Sequence, residues 1–473
     1  MNLASRRLIY LGFFLIFIVA GSALLFYLQG FRYNPDKKEV EQVGAINLST
    51  TPNGATIFLN GQKYSHITPT TVNSLAGGEY EVTLKKDDLQ VWQKKLTVKP
   101  KQVVSASDVI LWLPPQIFTP TSDNKISSVK NKTLVENNIA LHKISHNNQT
   151  LLYTTTATTN NLWLLNLRSG ESDLLAPPTG FLINEFNFSP SSQKILFLGQ
   201  IQNKPMAFIY YLTQQKWEKV LAMEADSFDK LTWGESDDYL LKQNDDNLWL
   251  IDLGSGEAKL IWEGIVTDWK MNDNLIYLLV PQNDNLVLKI INSRNLKNIN
   301  LAEPLILSNN SSFLTTRGDW LPITDETKHL LYLIRSPLKN SSSLRKLTAV
   351  TAIDWFNNNS KMIVANNYEI WEYEPLADNL NLIWRISTPL TRVRQYLNKP
   401  YLLLTSGSSL WALEFDRRGD QQRFLLADYG LPITDFFINQ DGTFATVLTD
   451  TKIYQLPLKP QRTEGYDWPI NLP

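Results

Sequence analysis

Two patterns of hydrophobic and polar positions divide the chain. Residues 8–28 form an uncharged run of 21 mostly apolar residues, and about 20 such residues span a bilayer as an α-helix. From residue 44 onward, short runs of alternating apolar and polar residues are separated by glycine, proline, asparagine and aspartate. That pattern is typical of antiparallel strands joined by tight turns. The sequence therefore predicts one membrane-spanning helix followed by an all-β chain.

The apolar run near the N-terminus predicts a retained signal anchor. Arg6 and Arg7 precede it, and positive charge stays on the cytoplasmic side, so residues 1–7 are expected inside the cell and everything after Tyr27 outside. A cleaved signal peptide, with the small residues 21–23 as its cleavage site, is the alternative. Its apolar core would have about 7–15 residues, whereas this run continues past that site. The sequence favours a single-pass protein of the cell membrane with an extracytoplasmic C-terminal part.

Residues 44–99 predict a small antiparallel β-sandwich. Five short runs with period-2 alternation are separated by TPNGA, NGQ and AGGE, whose residues suit tight turns. Residues 30–43 before them predict a polar stalk. Residues 100–125 after them hold four prolines, which predicts a semi-rigid connector. Its apolar stretch VILWL is expected to pack on a neighbouring domain.

The sandwich segment resembles the PEGA domain, a small β-sandwich of bacterial and archaeal surface proteins. The resemblance lies in the turn that names the family and in three further motifs: Pro52-Asn53-Gly54-Ala55, the hairpin at 58–61, Thr68-Pro69, and Gly77-Gly78 followed by Tyr80. Ile67 stands where the family often has glycine, and residues 87–90 replace a usual glycine-aromatic turn. The resemblance implies a surface location and an interaction or spacer role, and it brings no catalytic residues.

Six lysines lie between residues 85 and 101. One interpretation is a basic face toward anionic lipid or wall polymer. The favoured interpretation is that these lysines face water and protect strand edges from aggregation.

An eleven-residue motif recurs in the second part of the chain. NLWLLNLRSGE begins at Asn161 and NLWLIDLGSGE at Asn247, 86 residues apart, and a degraded copy begins at Phe208. Half of that spacing, 43, falls within the roughly 40–45 residues of a four-stranded propeller blade. Elements such as NFSPSSQKILF, which read as strand, tight turn and strand, recur as well. Residues 126–460 thus resemble the TolB-like and WD40-like β-propellers.

The repeat units predict a closed propeller. Their turn elements give eight starts, near residues 142, 181, 228, 265, 313, 351, 391 and 432. Eight blades are favoured, with seven as the alternative. The last unit, ending with KIYQLPL at 452–458, has only three strands, and KTLVENNI at 132–139 is expected to supply the fourth and close the ring. Residues 461–473 carry no repeat signature and are expected to form a C-terminal tail.

Composition excludes several classes of function. The chain has 45 Lys and Arg residues against 46 Asp and Glu, so it lacks the basic bias of a nucleic-acid-binding protein. It contains no cysteine and only four histidines, which leaves few candidates for a general base or a transition-metal ligand. No known catalytic motif is present, so we expect neither an enzyme nor a cofactor or metal.

Four carboxylates are the candidate site residues. They lie beside the aromatic residues of the predicted inner strands, are expected to share one repeat position, and would ring one mouth of the channel as a ligand site: Glu185, Asp268, Asp354 and Asp435. The alternative is that each accepts hydrogen bonds from the backbone or from hydroxyl groups.

These features together predict a membrane-anchored extracytoplasmic binding or scaffolding protein. Residues 8–28 would hold it in the membrane, and the propeller would contact a protein or a cell-wall glycan, because recognition concentrates on loops carried by a rigid scaffold. Two alternatives remain open. One is a propeller-fold envelope enzyme of the hydrolase or lyase type, and the other is a TolB-like accessory of an envelope transport complex.

Overall fold

The computed structural model describes residues 3–34, 39–118, 132–135, 139–155, 161–220, 228–244, 246–301, 303–314, 319–335, 344–356, 360–397 and 399–459. Its helix, α1, spans Leu3–Leu28. The segment Tyr10–Leu28 is long and apolar enough to cross a membrane, and none of it is buried against the rest of the protein.

Eight strands form the sandwich. They are β1 Phe31–Asn34, β2 Glu39–Thr51, β3 Thr56–Leu59, β4 Gln62–Ile67, β5 Thr70–Ala76, β6 Gly78–Lys85, β7 Trp92–Val98 and β8 Val103–Ile110. One sheet has β2 at its centre, paired with β1, β5 and β8, and the other has the order β4-β3-β6-β7. Apolar residues at alternate positions face the space between the sheets: Ile46, Leu48, Ile57, Val82, Leu84 and Leu96 are all buried. The period-2 pattern thus specifies the sandwich core.

The predicted stalk and connector both need correction. Strand β1, within the expected stalk 30–43, pairs with the start of β2 and extends the sandwich sheet. Strand β8, within the expected connector 100–125, pairs in parallel with β2 from Val103 to Ile110. The four prolines lie outside β8, and its backbone is therefore free to complete the sheet. Residues 119–131 and the predicted tail 461–473 lie outside the described residues.

Two short strands, β9 Gln116–Ile117 and β10 Lys132–Val135, precede the propeller sheets, which we number as blades 1 to 8. Blade 1 contains β11 Ile139–Ile144, β12 Thr150–Thr155, β13 Leu162–Asn166 and β14 Ser172–Leu175, and blade 2 contains β15 Leu182–Phe188, β16 Lys194–Ile201, β17 Lys204–Tyr211 and β18 Lys216–Lys219. Blade 3 contains β19 Lys230–Trp233, β20 Tyr239–Asn244, β21 Asn247–Asp252 and β22 Ala258–Glu263. Blade 4 contains β23 Asp268–Asn272, β24 Leu275–Gln282, β25 Asn285–Asn292, β26 Asn298–Ile299 and β27 Ile306–Leu307.

Blade 5 contains β28 Ser311–Phe313, β29 Trp320–Asp325, β30 Leu330–Arg335 and β31 Leu344–Thr348, and blade 6 contains β32 Ala352–Trp355, β33 Met362–Ala365, β34 Glu369–Glu374 and β35 Asn379–Arg385. Blade 7 contains β36 Leu390–Gln395, β37 Tyr401–Ser406, β38 Ser409–Glu414 and β39 Arg423–Asp428. Blade 8 contains β40 Ile433–Ile438, β41 Phe444–Thr449 and β42 Ile453–Pro457. The described residues thus hold eight propeller sheets, the number that the repeat spacing favours.

The eight blades form a closed ring. Each pair of consecutive blades shares a hydrophobic core. Blade 8 packs on blade 1 in the same way, with Phe437 and Ile453 against Leu151 and Leu165. Large side chains fill the gap of about 10 Å between neighbouring sheets.

The ring is closed by a strand from the other end of the propeller chain. Strand β10 pairs antiparallel with β42, the last strand of blade 8, as the sequence predicted. Lys132 lies opposite Gln455 and Thr133 opposite Tyr454. This pairing gives blade 8 its fourth strand and leaves no open edge on β42.

The sandwich is docked on blade 7 by a buried ion pair. Lys94 lies on the inward phase of β7, its side chain is fully buried, and its Nζ is 2.7 Å from a carboxylate oxygen of Glu414 and 3.4 Å from one of Asp416. Trp92 donates its Nε1–H to Glu414 at 3.2 Å. The general assignment of the lysines to the solvent is therefore wrong for Lys94.

Apolar packing extends the same contact. Trp112, at the end of the expected connector, is buried with its ring edge-on to Tyr396 and Tyr401 at centroid distances of 5.0 and 5.5 Å. Phe118 stacks on Tyr429 at 4.5 Å. One continuous hydrophobic core contains residues of the sandwich and of blades 7 and 8. The stretch VILWL packs on the propeller as expected, and sandwich and propeller form one body.

The sandwich covers one face of the ring near blade 7. It contacts the turn between the first and second strands of that blade through the Lys399–Asp108 ion pair at 2.7 Å. It also contacts the turn between the third and fourth strands, where Arg418 donates to the Ser105 carbonyl at 2.7 Å. Because strands alternate in direction, these turns share one face, here called the docked face. The other face carries the turns between second and third strands and the links between blades, and we call it the open face.

Candidate functional site

The first strand of each blade lines the central channel. All of these strands begin at a link between blades, so they run inward from the open face. Each ends at a residue whose N–H bonds the second strand, such as Ser189 to Lys194 and Asn439 to Phe444. Counting back from that residue gives two positions that face the next blade. The position four residues earlier lies nearer the open face (the mouth level), and the position two residues earlier lies deeper (the deep level).

The four predicted carboxylates occupy both levels. Glu185 and Asp435 lie four residues before Ser189 and Asn439, at the mouth level. Asp354 lies two residues before the corresponding Phe356, at the deep level. Asp268 makes the same contact with the next blade as Asp354, described below, and shares its level. The single ring expected from the sequence is therefore incorrect, because the number of residues between the carboxylate and the turn that ends the strand differs between blades.

At the deep level, the carboxylates join neighbouring blades. Asp268 accepts the N–H of Phe313 at 3.0 Å from blade 5 and that of Trp269 at 2.9 Å from its own strand. Asp354 accepts the N–H of Gln395 at 2.8 Å from blade 7 and that of Trp355 at 2.9 Å. The first strand of a blade has backbone N–H and C=O groups on its channel edge that no neighbouring strand pairs. These carboxylates accept hydrogen bonds from some of those N–H groups. Their geometry fits a structural role.

We expect Asp354→Ala to lower the free energy of unfolding by about 1–3 kcal/mol, because two backbone donors lose their acceptor. Glu185→Ala is the matched control, since Glu185 is exposed and accepts a bond from the Asn187 side chain. It should change stability by less than about 0.5 kcal/mol. Denaturant unfolding of the full chain in detergent measures both. Equal effects would contradict the structural role of Asp354.

Two arginines of blade 7 share the mouth-level carboxylate of Asp435. Arg394 donates from Nη2 to Asp435 at 3.0 Å and from Nε to the Phe436 carbonyl at 2.7 Å. The Arg392 Nε lies 3.7 Å from the same carboxylate oxygen. The side chains of Arg392 and Arg394 are 47% and 32% exposed. The pair therefore keeps guanidinium N–H groups in reach of the solvent.

A cavity adjoins this arginine pair. It has a volume of about 530 Å³, lies between blades 5, 6 and 7, and is lined by Asp354, Arg392 and Arg394 together with the link residues Val350 and Thr351. The links place its opening on the open face. Sequence reasoning missed the arginines, although the alternation in TRVRQ places both on one side of the strand.

His142 lies near Asp435 on the blade 1 side of the channel. Burial lowers the pKa of His142, and the Asp435 charge opposes this shift. His146 lies elsewhere, with Nδ1 3.1 Å from the Ser189 carbonyl oxygen of blade 2. His142 thus lies toward blade 8, and His146 contacts blade 2. Within the described residues, no three His, Asp or Glu side chains form a metal-binding group.

Lysines line the part of the channel formed by blades 3 and 4. Lys230 is 3.1 Å from Asp268 and lies over the Trp269 ring at 4.2 Å. Burial lowers the pKa of Lys270, and Asp268 raises it. Lys230 is therefore engaged by a carboxylate of the neighbouring blade.

A comparison with protein families agrees with the sandwich domain. Residues 43–110 match the PEGA domain family. A search of curated proteins found no match. Among solved structures, the chain is similar to the C-terminal WD40 domain of Sif2 (11% identity, 70% of this chain and 99% of that chain, TM-score 0.49). It is also similar to Saccharomyces cerevisiae Sqt1 (12%, 71% and 99%, 0.47) and to oligogalacturonate lyase from Vibrio parahaemolyticus (12%, 65% and 94%, 0.41). The propeller assignment rests on the sheet order and shared cores described above.

Proposed function

We propose that this chain, whose PEGA domain is fixed to a β-propeller, is a membrane-anchored extracytoplasmic binding or scaffolding protein. The observation that carries the proposal is the buried contact between sandwich and propeller. A flexible tether would leave the propeller free to turn, whereas the Lys94 ion pair and the Trp112 packing hold it in one orientation. Such a body suits the presentation of a fixed surface.

The sandwich acts as a spacer of defined length. Val43 bonds the Gly30 carbonyl just beyond α1, and the Thr51 carbonyl accepts the N–H of Leu111 next to the propeller. Strands β2 and β8 are parallel and both run from the helix end to the propeller end. At about 3.3 Å per residue, the eight residue-to-residue steps from Val43 to Thr51 span roughly 26 Å. The helix would lie in the cell membrane with its N-terminus inside.

The open face carries the binding site in this proposal. The sandwich occupies part of the docked face, and the cavity beside Arg392 and Arg394 belongs to the open one. Paired guanidinium groups suit a carboxylate or another oxyanion on a partner protein or a cell-wall glycan. Asp435 is the member of the predicted carboxylate set that would share in this contact, by holding both arginines.

We propose a binding role rather than catalysis. Asp268 and Asp354 are engaged by backbone N–H groups, and the Asp435 carboxylate is held by two arginines. Carboxylate oxygens that already accept hydrogen bonds from the protein have less acceptor capacity left for a substrate proton.

The absence of cysteine allows a direct test of topology. Asn283→Cys lies in an exposed open-face turn of blade 4, and Ser5→Cys lies in the N-terminal segment. In intact spheroplasts, a membrane-impermeant maleimide should label Asn283→Cys and leave Ser5→Cys unlabelled until the membrane is permeabilised. The reverse pattern, or release of the labelled chain from the membrane fraction, would reject the anchored topology.

The same approach tests the binding face. A photoreactive maleimide on Asn283→Cys should crosslink the partner in cells, whereas the same probe on Ser255→Cys, in an exposed docked-face turn of blade 3, should not. Adding Arg392→Gln and Arg394→Gln should reduce the Asn283 crosslink several-fold. Equal crosslinking from both faces, or no effect of the two substitutions, would reject this site.

A further inference from the structure

The paired strand segments 31–34 and 39–42, here called the hairpin, follow α1 directly and lie outside the core of the sandwich. We propose that the hairpin is a second membrane contact, which lies in the lipid headgroup region and fixes the tilt of the whole extracytoplasmic body. This inference rests on the proposed function, in that it requires α1 to span the bilayer. The partner surface is the lipid bilayer itself.

The hairpin projects away from the propeller. Strand β2 reaches the propeller at its C-terminal end. Val43 lies beside the end of α1, because its N–H bonds the Gly30 carbonyl at 2.9 Å. Residues before Val43 continue β2 in the opposite direction, paired with β1. The hairpin therefore extends toward the membrane side of the sandwich.

One side of the hairpin is apolar and exposed. Tyr33 and Val40 are cross-strand partners, and their exposed fractions are 63% and 61%. Phe31 lies two residues before Tyr33, so it shares their side, and its ring contacts that of Phe26 on α1 at 5.3 Å. The apolar side is thus continuous with the last turns of the apolar helix. Contact with lipid would remove this exposed apolar surface from water, and tyrosine is favoured at the membrane interface.

Polar contacts hold the hairpin against the end of the helix. Arg32 donates from Nη1 to the Tyr27 carbonyl at 2.7 Å and lies over the Tyr27 ring at 3.5 Å. The guanidinium satisfies one of the last helical carbonyls, which have no partner within the helix. A cation beside an interfacial tyrosine is suited to the headgroup region, where both find phosphate and water.

A basic turn lies at the same depth. The Lys101 N–H bonds the Val43 carbonyl at 3.0 Å, which places residues 99–102 one hydrogen bond from the helix exit. Lys99 and Lys101 are exposed. Each basic residue near an anionic membrane surface contributes about 1 kcal/mol of attraction. The apolar hairpin and this turn would together meet the headgroups.

The test uses the full chain in nanodiscs of phosphatidylcholine and phosphatidylglycerol, with one cysteine at a time carrying the fluorophore NBD. Labels on Tyr33→Cys and Val40→Cys should show blue-shifted emission, strong quenching by headgroup-nitroxide lipid, and several-fold weaker quenching by aqueous iodide than a label on Asn283→Cys. Glu39→Cys is the matched control, since Glu39 is exposed, adjoins Val40 and points to the opposite side of the strand. Its label should remain open to iodide.

Ile16→Cys separates failure of the hairpin from failure of the anchor. If the Ile16 label is shielded from iodide while the Tyr33 label is quenched as strongly as the Asn283 label, the hairpin proposal is overturned and the anchor stands. If the Ile16 label is also open to iodide, both are overturned. Shielding at Tyr33 and Glu39 alike would also reject the proposal, because burial would then not be confined to the apolar side.

Discussion

Removing residues 452–473 should abolish cooperative folding of the propeller. The truncation deletes β42, which pairs with both β41 and β10. Ile453, Leu456 and Leu458 are at most 1% exposed, and Tyr454 is 6% exposed. At about 1.5–3 kcal/mol for each buried side chain, the four contribute roughly 6–12 kcal/mol, which is comparable with the whole stability of a domain, about 5–15 kcal/mol. Thermal unfolding in detergent, followed by tryptophan fluorescence, measures the effect.

Two further variants make the result specific to ring closure. A chain ending at residue 460 retains β42 and should melt close to the full-length temperature. Leu456→Ala keeps the strand and removes one buried side chain, so it should cost about 2–5 kcal/mol. If the chain ending at residue 451 melts at the full-length temperature, closure by β42 does not hold the ring together.

Replacing Lys94 should have the largest effect of any single substitution in the sandwich. Lys94→Ala leaves the Glu414 carboxylate buried without its cation, and breaking a buried pair in this way costs about 3–5 kcal/mol. The neighbouring Lys95 is the matched control. Its ammonium is 3.7 Å from Glu79 with both side chains more than half exposed, so Lys95→Ala should cost no more than about 1 kcal/mol. Equal losses for the two variants would contradict the role of the ion pair.

The loss should depend on pH. Burial raises the pKa of Glu414 above its ordinary value, and Lys94 opposes this shift. A raised carboxyl pKa means that the folded state binds the proton more tightly, so the Glu414 contribution to stability is largest at acid pH and is lost as the pH rises through the folded pKa. Without Lys94 this pKa rises further. The deficit of Lys94→Ala should therefore be larger at about pH 7.5 than at about pH 5.5.

A compensating variant isolates the charge. Adding Glu414→Gln to Lys94→Met removes both charges and keeps an acceptor for the Trp92 N–H, so part of the stability should return. Asp416 remains neutralised by Arg418 at 2.7 Å. Hydrogen bonds from Arg418 and the charge of Lys94 hold the pKa of Asp416 below its ordinary value although burial pushes it upward. If the double variant is no more stable than Lys94→Met alone, the unpaired Glu414 charge is not the cause of the loss, and the role of the ion pair is contradicted.

The regular parts of the fold were predictable because they repeat. The NLWL motif lies at the third strand of blades 1 and 3, and a three-stranded last unit required a partner such as residues 132–135. The alternation of apolar and polar residues specifies the register of each strand, since a shift of one residue would turn every side chain to the other face of the sheet. The boundaries of the sandwich were not found. The prolines that follow residue 99 led to a predicted end of the sandwich at that residue, whereas β8 continues the sheet to Ile110.

The contact between the domains joins residues far apart in sequence. Lys94 and Glu414 are more than 300 positions apart, and neither segment carries a motif for the other. A signal was present all the same, because Lys94 alternates in phase with Trp92 and Leu96, which places it on the buried side of its strand. The candidate site was likewise predictable only in part from the local pattern. Its carboxylates were recognisable from the repeat, but their depth in the channel depends on how far each lies from the end of its strand. Among the described first strands, the arginine pair occurs in blade 7 alone.

Closure by β10 sets an order of events during synthesis. Val135 pairs with Ile453, so a strand that is made before all eight blades waits for the last strand of the chain. At roughly 5–20 residues per second, the 318 residues between them take about 16–64 s to make. Through that interval β10 and the docking surface of the sandwich have no partners, and the eighth blade cannot form. A chain exported as it is made would therefore need its unpaired edge protected outside the membrane until the C-terminal strands arrive.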